Sequence, residues 1–106
     1  MAVPTFDWEG KSGKTYRYWT YLIGQQFNAG PGNYIFARQP QPGEWIPIYI
    51  GQASDLSERF GNHHAIPCIL QNGGTHIHTH QNNLDEEARR AEESDLIAKW
   101  DPPCND

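Results

Sequence analysis

Cysteine, methionine and positive charge are all scarce in this chain. Its 106 residues include two cysteines and one methionine, and eight Lys and Arg side chains stand against thirteen Asp and Glu, for a formal net charge of −5. Cys68 and Cys104 form neither a metal-knuckle spacing nor a disulfide framework. Two reduced, mostly buried thiols are expected, because free cysteine is usually an interior residue. The shortage of basic side chains argues against tight non-specific binding to nucleic acid, which needs a basic face. No apolar run approaches bilayer-spanning length, and Met1-Ala2-Val3-Pro4-Thr5 lacks the basic and apolar regions of a signal peptide. A cytoplasmic protein without a membrane partner is expected. Internal repeats and low-complexity tracts are missing too, which leaves a chain long enough for one modest core.

The charge is unevenly spread. Residues 1–59 hold five basic and five acidic side chains, and the remainder holds three basic and eight acidic ones. A bound divalent cation would offset part of that late negative charge. Weak or partner-assisted DNA binding fits this distribution better than tight binding.

Residues 1–31 are rich in aromatics and glycine and are expected to form an N-terminal extension packed on a domain of residues 32–106. The extension has two readings. It is a packing lid, or Trp8, Tyr16, Tyr18 and Trp19 with Lys11, Lys14 and Arg17 make a stacking and charge surface for unpaired bases. Beyond the turn at Ala29-Gly30-Pro31-Gly32, Asn33 to Arg38 reads as a strand. Pro40, Pro42 and Gly43 break the chain, and Ile46 to Ile50 is a second strand in which Pro47 needs no ladder donor. Ser54 or Asp55 then caps a helix burying Leu56 and Phe60 at i, i+4. Thr75 to His80 alternates as a third strand. Asn83 with Glu86 opens a last helix, which runs to about Lys99 before Asp101-Pro102-Pro103. The order is β-β-α-β-α, an α/β (α+β) domain.

Several residues in that frame carry chemistry. Glu93 shares a helical face with Leu96, Ile97 and Trp100, so its carboxylate needs a partner or a cation. Arg89 at i−4 and Arg90 at i−3 are the candidates for an ion pair. Arg59 could hold phosphate oxygens through its planar guanidinium, or pair with Asp55. Tyr34 and Tyr49 become neighbours if their strands form a hairpin, though phenols are poor bases near their ordinary pKa of about 10.

Taken in order, Gly32-Asn33-Tyr34, Tyr49-Ile50-Gly51, Arg59, Glu93 ahead of Leu96-Ile97, and Asn105 after Pro102-Pro103-Cys104 resemble the motif series of the GIY-YIG nuclease family. The resemblance implies a small three-stranded sheet flanked by helices and a divalent-metal-dependent endonuclease acting on DNA rather than RNA. It implies Glu93 as the one protein ligand of Mg²⁺ or Mn²⁺, which suits a cation that keeps waters and substrate phosphate. Arg59 would stabilise transition-state charge. Tyr49 would help deprotonate the attacking water, with Tyr34 holding water or phosphate. Some members place lysine after the second motif; Gln52 stands here and cannot take a proton. His63 is the implied helper in proton handling, with His64 beside it. Asn105 would orient the site or contact phosphate, and Gln52 and His78 would contact substrate. Such domains usually borrow specificity, so a homodimer or a separate DNA-targeting partner is expected. A non-catalytic nucleic-acid-binding module on the same scaffold is the alternative.

His76, His78 and His80 fall on one side of the third strand, with Ile77 and Thr79 on the other. That side is expected to be a polar face toward solvent or DNA, or to lend a histidine to the tyrosines. Two of the three with another group could hold Zn²⁺. The run His76 to Asn82 also resembles the histidine-triad nucleotide hydrolase signature, but Thr79, Gln81 and Asn82 occupy its apolar slots.

Overall fold

Alternating side chains and breaking turns lead the chain into five strands and two helices among the described residues. The computed structural model describes residues 3–58, 60 and 63–105. The strands are β1 (Thr5–Glu9), β2 (Thr15–Leu22), β3 (Gly32–Arg38), β4 (Ile46–Ala53) and β5 (His76–Gln81), and the helices are α1 (Ile66–Gln71) and α2 (Glu86–Trp100). The strands form one sheet in the order β1-β2-β5-β3-β4, with every neighbouring pair antiparallel. No helix among the described residues is long and apolar enough to cross a membrane.

The architecture is α+β, with five strands where three are expected. The two added strands come from the supposed extension. β1 and β2 fold back on each other around Gly13, at φ 90°, and β2 then pairs with β5. This hairpin is pinned to α2. Asp95 accepts hydrogen bonds from Ser12 N, Ser12 Oγ and Tyr16 Oη at 2.9, 2.7 and 2.8 Å. Trp8 and Tyr18 are completely buried, so the stacking surface read from sequence is lost at both.

Each sheet face has its own core. Tyr34, Phe36, Ile48 and Ile77 pack under Leu56, Ala65, Ile69 and Cys104 on one face. Ile35, Ala37, Ile50, Trp8 and Tyr18 pack against Leu96 of α2 on the other. β3 is covered on both faces, which explains why it reads as a continuous apolar run.

β4 is an edge strand, and its register against β3 skips Ile48, since Phe36 faces Tyr49 and Ala37 faces Pro47. Such a bulge turns consecutive side chains to the same side. Ile48 and Tyr49 both join the Tyr34 face. The outer rim of β4 is covered by the C-terminal segment, where Cys104 N donates to Ile48 O at 3.0 Å.

Three local expectations are corrected. Among the described residues no α-helix follows directly on Ser54; residues 54–58 turn, Phe60 is in 3-10 conformation, and α1 begins at Ile66, with Pro67 in its first turn. The N-cap of α2 is Asp85, whose carboxylate accepts from Ala88 N at 2.9 Å, rather than Asn83. Asn82 is instead buried and accepts from Leu84 N. The third correction is covalent. Cys68 and Cys104 are disulfide-bonded, joining α1 to the C-terminal segment, and are not two thiols.

Candidate active site

Glycine determines how closely the phenols meet. Gly51 faces Tyr34 across the β3–β4 ladder, and a Cβ there would lie 2.7 Å from the Tyr34 hydroxyl and 2.9 Å from a ring carbon of Tyr49. Only hydrogen fits in that gap. Gly32 answers a similar demand, since a Cβ would meet His80 O at 2.7 Å and Leu56 Cδ1 at 2.5 Å. With these positions clear, the Tyr34 and Tyr49 rings stack at 6.0 Å.

His63 completes the cluster from outside any helix, just ahead of α1. Its Nε2 lies 2.7 Å from Tyr34 Oη, and its Nδ1 accepts the Ala65 backbone N–H at 3.1 Å. A ring nitrogen that accepts cannot also carry the proton of neutral imidazole. We therefore assign the proton to Nε2, which makes His63 the donor to Tyr34. Burial and the neighbouring His64 hold His63 below the ordinary histidine pKa, so it stays neutral. His64 stacks on His63 at 4.5 Å and lies edge-on to Tyr49 at 5.7 Å.

The phenols are not free bases. Burial, followed by Tyr49 and the charge of Glu93, pushes Tyr34 far above the ordinary phenol range. Tyr49 is also raised by burial, but the neighbouring Tyr34 hydroxyl works in the opposite direction. One directed hydrogen bond results, from His63 Nε2–H to Tyr34 Oη, with the Tyr49 ring stacked beside it.

Glu93 is half-buried on α2, and its charge acts on both phenols. Burial raises its own pKa, with Arg90 opposing. Neither expected ion pair forms. Arg90 bonds Glu86 at 3.1 Å, while buried Arg89 donates to Gln52 Oε1 at 3.2 Å and Leu84 O at 2.7 Å. Among the described residues Glu93 has no hydrogen-bonding or ionic partner. Gln52, its oxygen held by Arg89, lines a cavity of about 850 Å³ with Tyr34, His63, His64 and Glu86.

Not every expected site residue gathers here. Arg59 lies outside the described residues. Asn105 brackets the edge strand, accepting from Ile50 N at 2.9 Å and donating to Ile50 O at 2.7 Å. Its amide therefore positions the residue between Tyr49 and Gly51, in keeping with the orienting role that is one of its two expected roles. His78 lies on the opposite face, fully buried, where its Nδ1 accepts from Trp8 Nε1 at 3.0 Å. It cannot touch substrate. Its Nε2–H has no conventional acceptor, and the Trp45 ring, edge-on at 4.4 Å, is the π surface nearest to it.

The remaining histidines do not converge either. His76 bonds Thr75 Oγ1 and packs on Trp45, while His80 Nδ1 bonds Glu92 Oε2 at 2.9 Å. Among the described residues no group of three or more His, Cys, Asp or Glu is placed to hold a metal ion, so the zinc reading gains no support. Burial of His78 likewise removes the central histidine of a nucleotide hydrolase from any substrate.

Sequence reasoning missed Glu92 and Arg89. Glu92 is buried and accepts from Tyr18 Oη at 2.6 Å as well as from His80. The signal is the helical phase. Arg89, Glu92 and Leu96 share the inward face of α2, whereas phasing on the Leu96-Ile97 pair draws the eye to Glu93. Comparison with protein-family models, curated proteins and solved structures finds no match for this chain.

Proposed function

We propose that this protein is an endonuclease that hydrolyses phosphodiester bonds in DNA with Mg²⁺ or Mn²⁺ held at Glu93. One observation carries the reading. The Tyr34–His63 hydrogen bond, the adjoining Tyr49 and a half-buried carboxylate without a described partner lie within electrostatic reach of one another. A partly buried carboxylate with a raised pKa gains most from a cation beside it. The donor set fits a hard cation that retains water and binds substrate oxygen, not a closed protein cage. When bound, the cation supplies charge neutralisation on phosphate oxygens and a lower pKa for water.

The chain's own residues position the reactants. His63 orients Tyr34, and the oxygen of the adjoining Tyr49 holds the attacking water in line. Arg59 keeps the role the resemblance implies, bearing charge on the phosphate. His63 acts by positioning, because the lone pair it would need as a base is given to Ala65 N–H. Asp55, Glu58 and Glu86 on the cavity wall repel phosphate, so affinity is borrowed from a second copy or a DNA-targeting partner. The Cys68–Cys104 cystine favours oxidising surroundings over the cytoplasm expected from the sequence.

The test is nicking of supercoiled, linear and branched DNA with Mg²⁺ or Mn²⁺. Glu93→Gln should lower cutting at least about 100-fold, the scale of losing one electrostatic stabiliser, with an unchanged circular dichroism spectrum. A folded parent that cuts no DNA form, or a Glu93→Gln variant that cuts as well as the parent, overturns the reading.

A further inference from the structure

The register places an exposed tryptophan in line with the phenols. Thr5 faces Trp19 across β1–β2, Trp19 faces Thr79 across β2–β5, Thr79 faces Tyr34 across β5–β3, and Tyr34 faces Gly51 across β3–β4. Directly paired residues point to the same side of a sheet. Trp19 and Tyr34 therefore share a face, two strands apart, which is about 10 Å. Trp19 is 40 % exposed, and the residues beside it in that row are the small Thr5 and Thr79. Its indole face is left open.

Trp19 forms part of a groove of about 700 Å³ bounded by β2, β5 and the segment around Gln25 to Asn28. Tyr21 and Phe27 meet edge to face at 5.1 Å and form its apolar floor. Amides from Gln25, Asn28, Gln81 and Asn83 line the rest. Each amide offers both a donor and an acceptor, as base edges require. Arg17 is the one Lys or Arg side chain among the described lining residues, and it already bonds Asp7 at 3.0 Å. The groove thus offers rings and amides rather than charge.

We propose that this groove binds an unpaired nucleobase of single-stranded DNA, stacked on Trp19 and read at its edge by the amides. Paired bases are buried in their stack and cannot enter, so the groove selects single-stranded or frayed DNA over duplex. In its placement beside the scissile phosphate it rests on the nuclease reading. Base binding by itself does not.

The test is fluorescence anisotropy with a labelled oligo-dT strand and with a duplex of equal length, in EDTA, on the Glu93→Gln protein. Single-strand binding should weaken about tenfold or more in Trp19→Ala, as expected for loss of one base–aromatic stack. Trp19→Phe should keep it within about threefold, and duplex binding should not change. With one cation in the groove, affinity should fall only about threefold between about 50 and 200 mM salt. Circular dichroism confirms that each variant is folded. Equal single-strand affinity in Trp19→Ala and the parent, or a parent that prefers duplex, overturns the proposal. The readout needs no cutting, so a protein that binds single strands through Trp19 yet cleaves nothing sinks the nuclease alone.

Discussion

Alternation places His78 with His76 and His80 on one side of β5, but it does not say which side is buried. His78 lies beneath Trp8 and Trp45, and burial with the nearby His76 holds its pKa down to about 3. The sign follows from linkage. The folded state refuses a proton that the unfolded chain takes near pH 6.5, so stability is full above that pH and falls as pH drops toward 3. At about pH 4.5 the loss should be roughly 2–3 kcal/mol, at about 1.4 kcal/mol per unit. Urea unfolding of the parent and of His78→Gln at about pH 7 and 4.5 checks this. Glutamine still offers Trp8 an acceptor but takes no proton, so the variant should lose roughly 2–3 kcal/mol less on acidification. Equal losses would mean that His78 titrates normally. Tyr34 and Gly51 were legible as candidates because a short strand motif keeps its spacing in any environment, and His63 through the resemblance alone. The direction of their hydrogen bonds was not, since it depends on the backbone N–H of Ala65.

Elements add constraints that single residues do not. Regular register from Gly51 puts Tyr49 on the Tyr34 face, the bulge turns Ile48 onto that face too, and the C-terminal segment seals the bulged edge through Cys104 N and the Asn105 amide. Asn105→Ala should lower stability by about 1–3 kcal/mol, the cost of leaving part-buried donors and acceptors unmet. Thermal unfolding measures it. A variant with unchanged stability but weaker DNA binding would return Asn105 to the substrate contact that the motif resemblance implies. α2 shows what limits helix reading. Its periodicity is genuine, but Glu92 and Glu93 sit one residue apart on the boundary between buried and open faces. The identity of the buried one depends on Tyr18 and His80, contributed by distant strands.

At the scale of the whole molecule, the Cys68–Cys104 bond closes a segment spanning 36 positions and ties α1 to the strap over β4. Its removal should be felt throughout. The double substitution Cys68→Ser, Cys104→Ser should cost roughly 2–4 kcal/mol in urea unfolding, the usual effect of losing such a crosslink. Denatured, unreduced parent protein should show no titratable thiol. Two reactive thiols and an unshifted unfolding midpoint would restore the reduced pair expected from spacing.

Local order alone settled what recurs at short range, namely the two tyrosine strands, the breaks at proline and glycine, and the late helix; Tyr34, Tyr49, His63 and Glu93 became candidates through the motif resemblance. Those short-range features arise from steric and hydrogen-bonding preferences between residues a few positions apart. Long-range packing decided the rest. It joined the β1–β2 hairpin to β5, buried Glu92, Arg89 and His78, tied Asn105 to the edge of β4, and brought Cys68 to Cys104. A periodic pattern marks one face as different from the other, but only the neighbours that arrive from elsewhere in the chain determine which face water can reach.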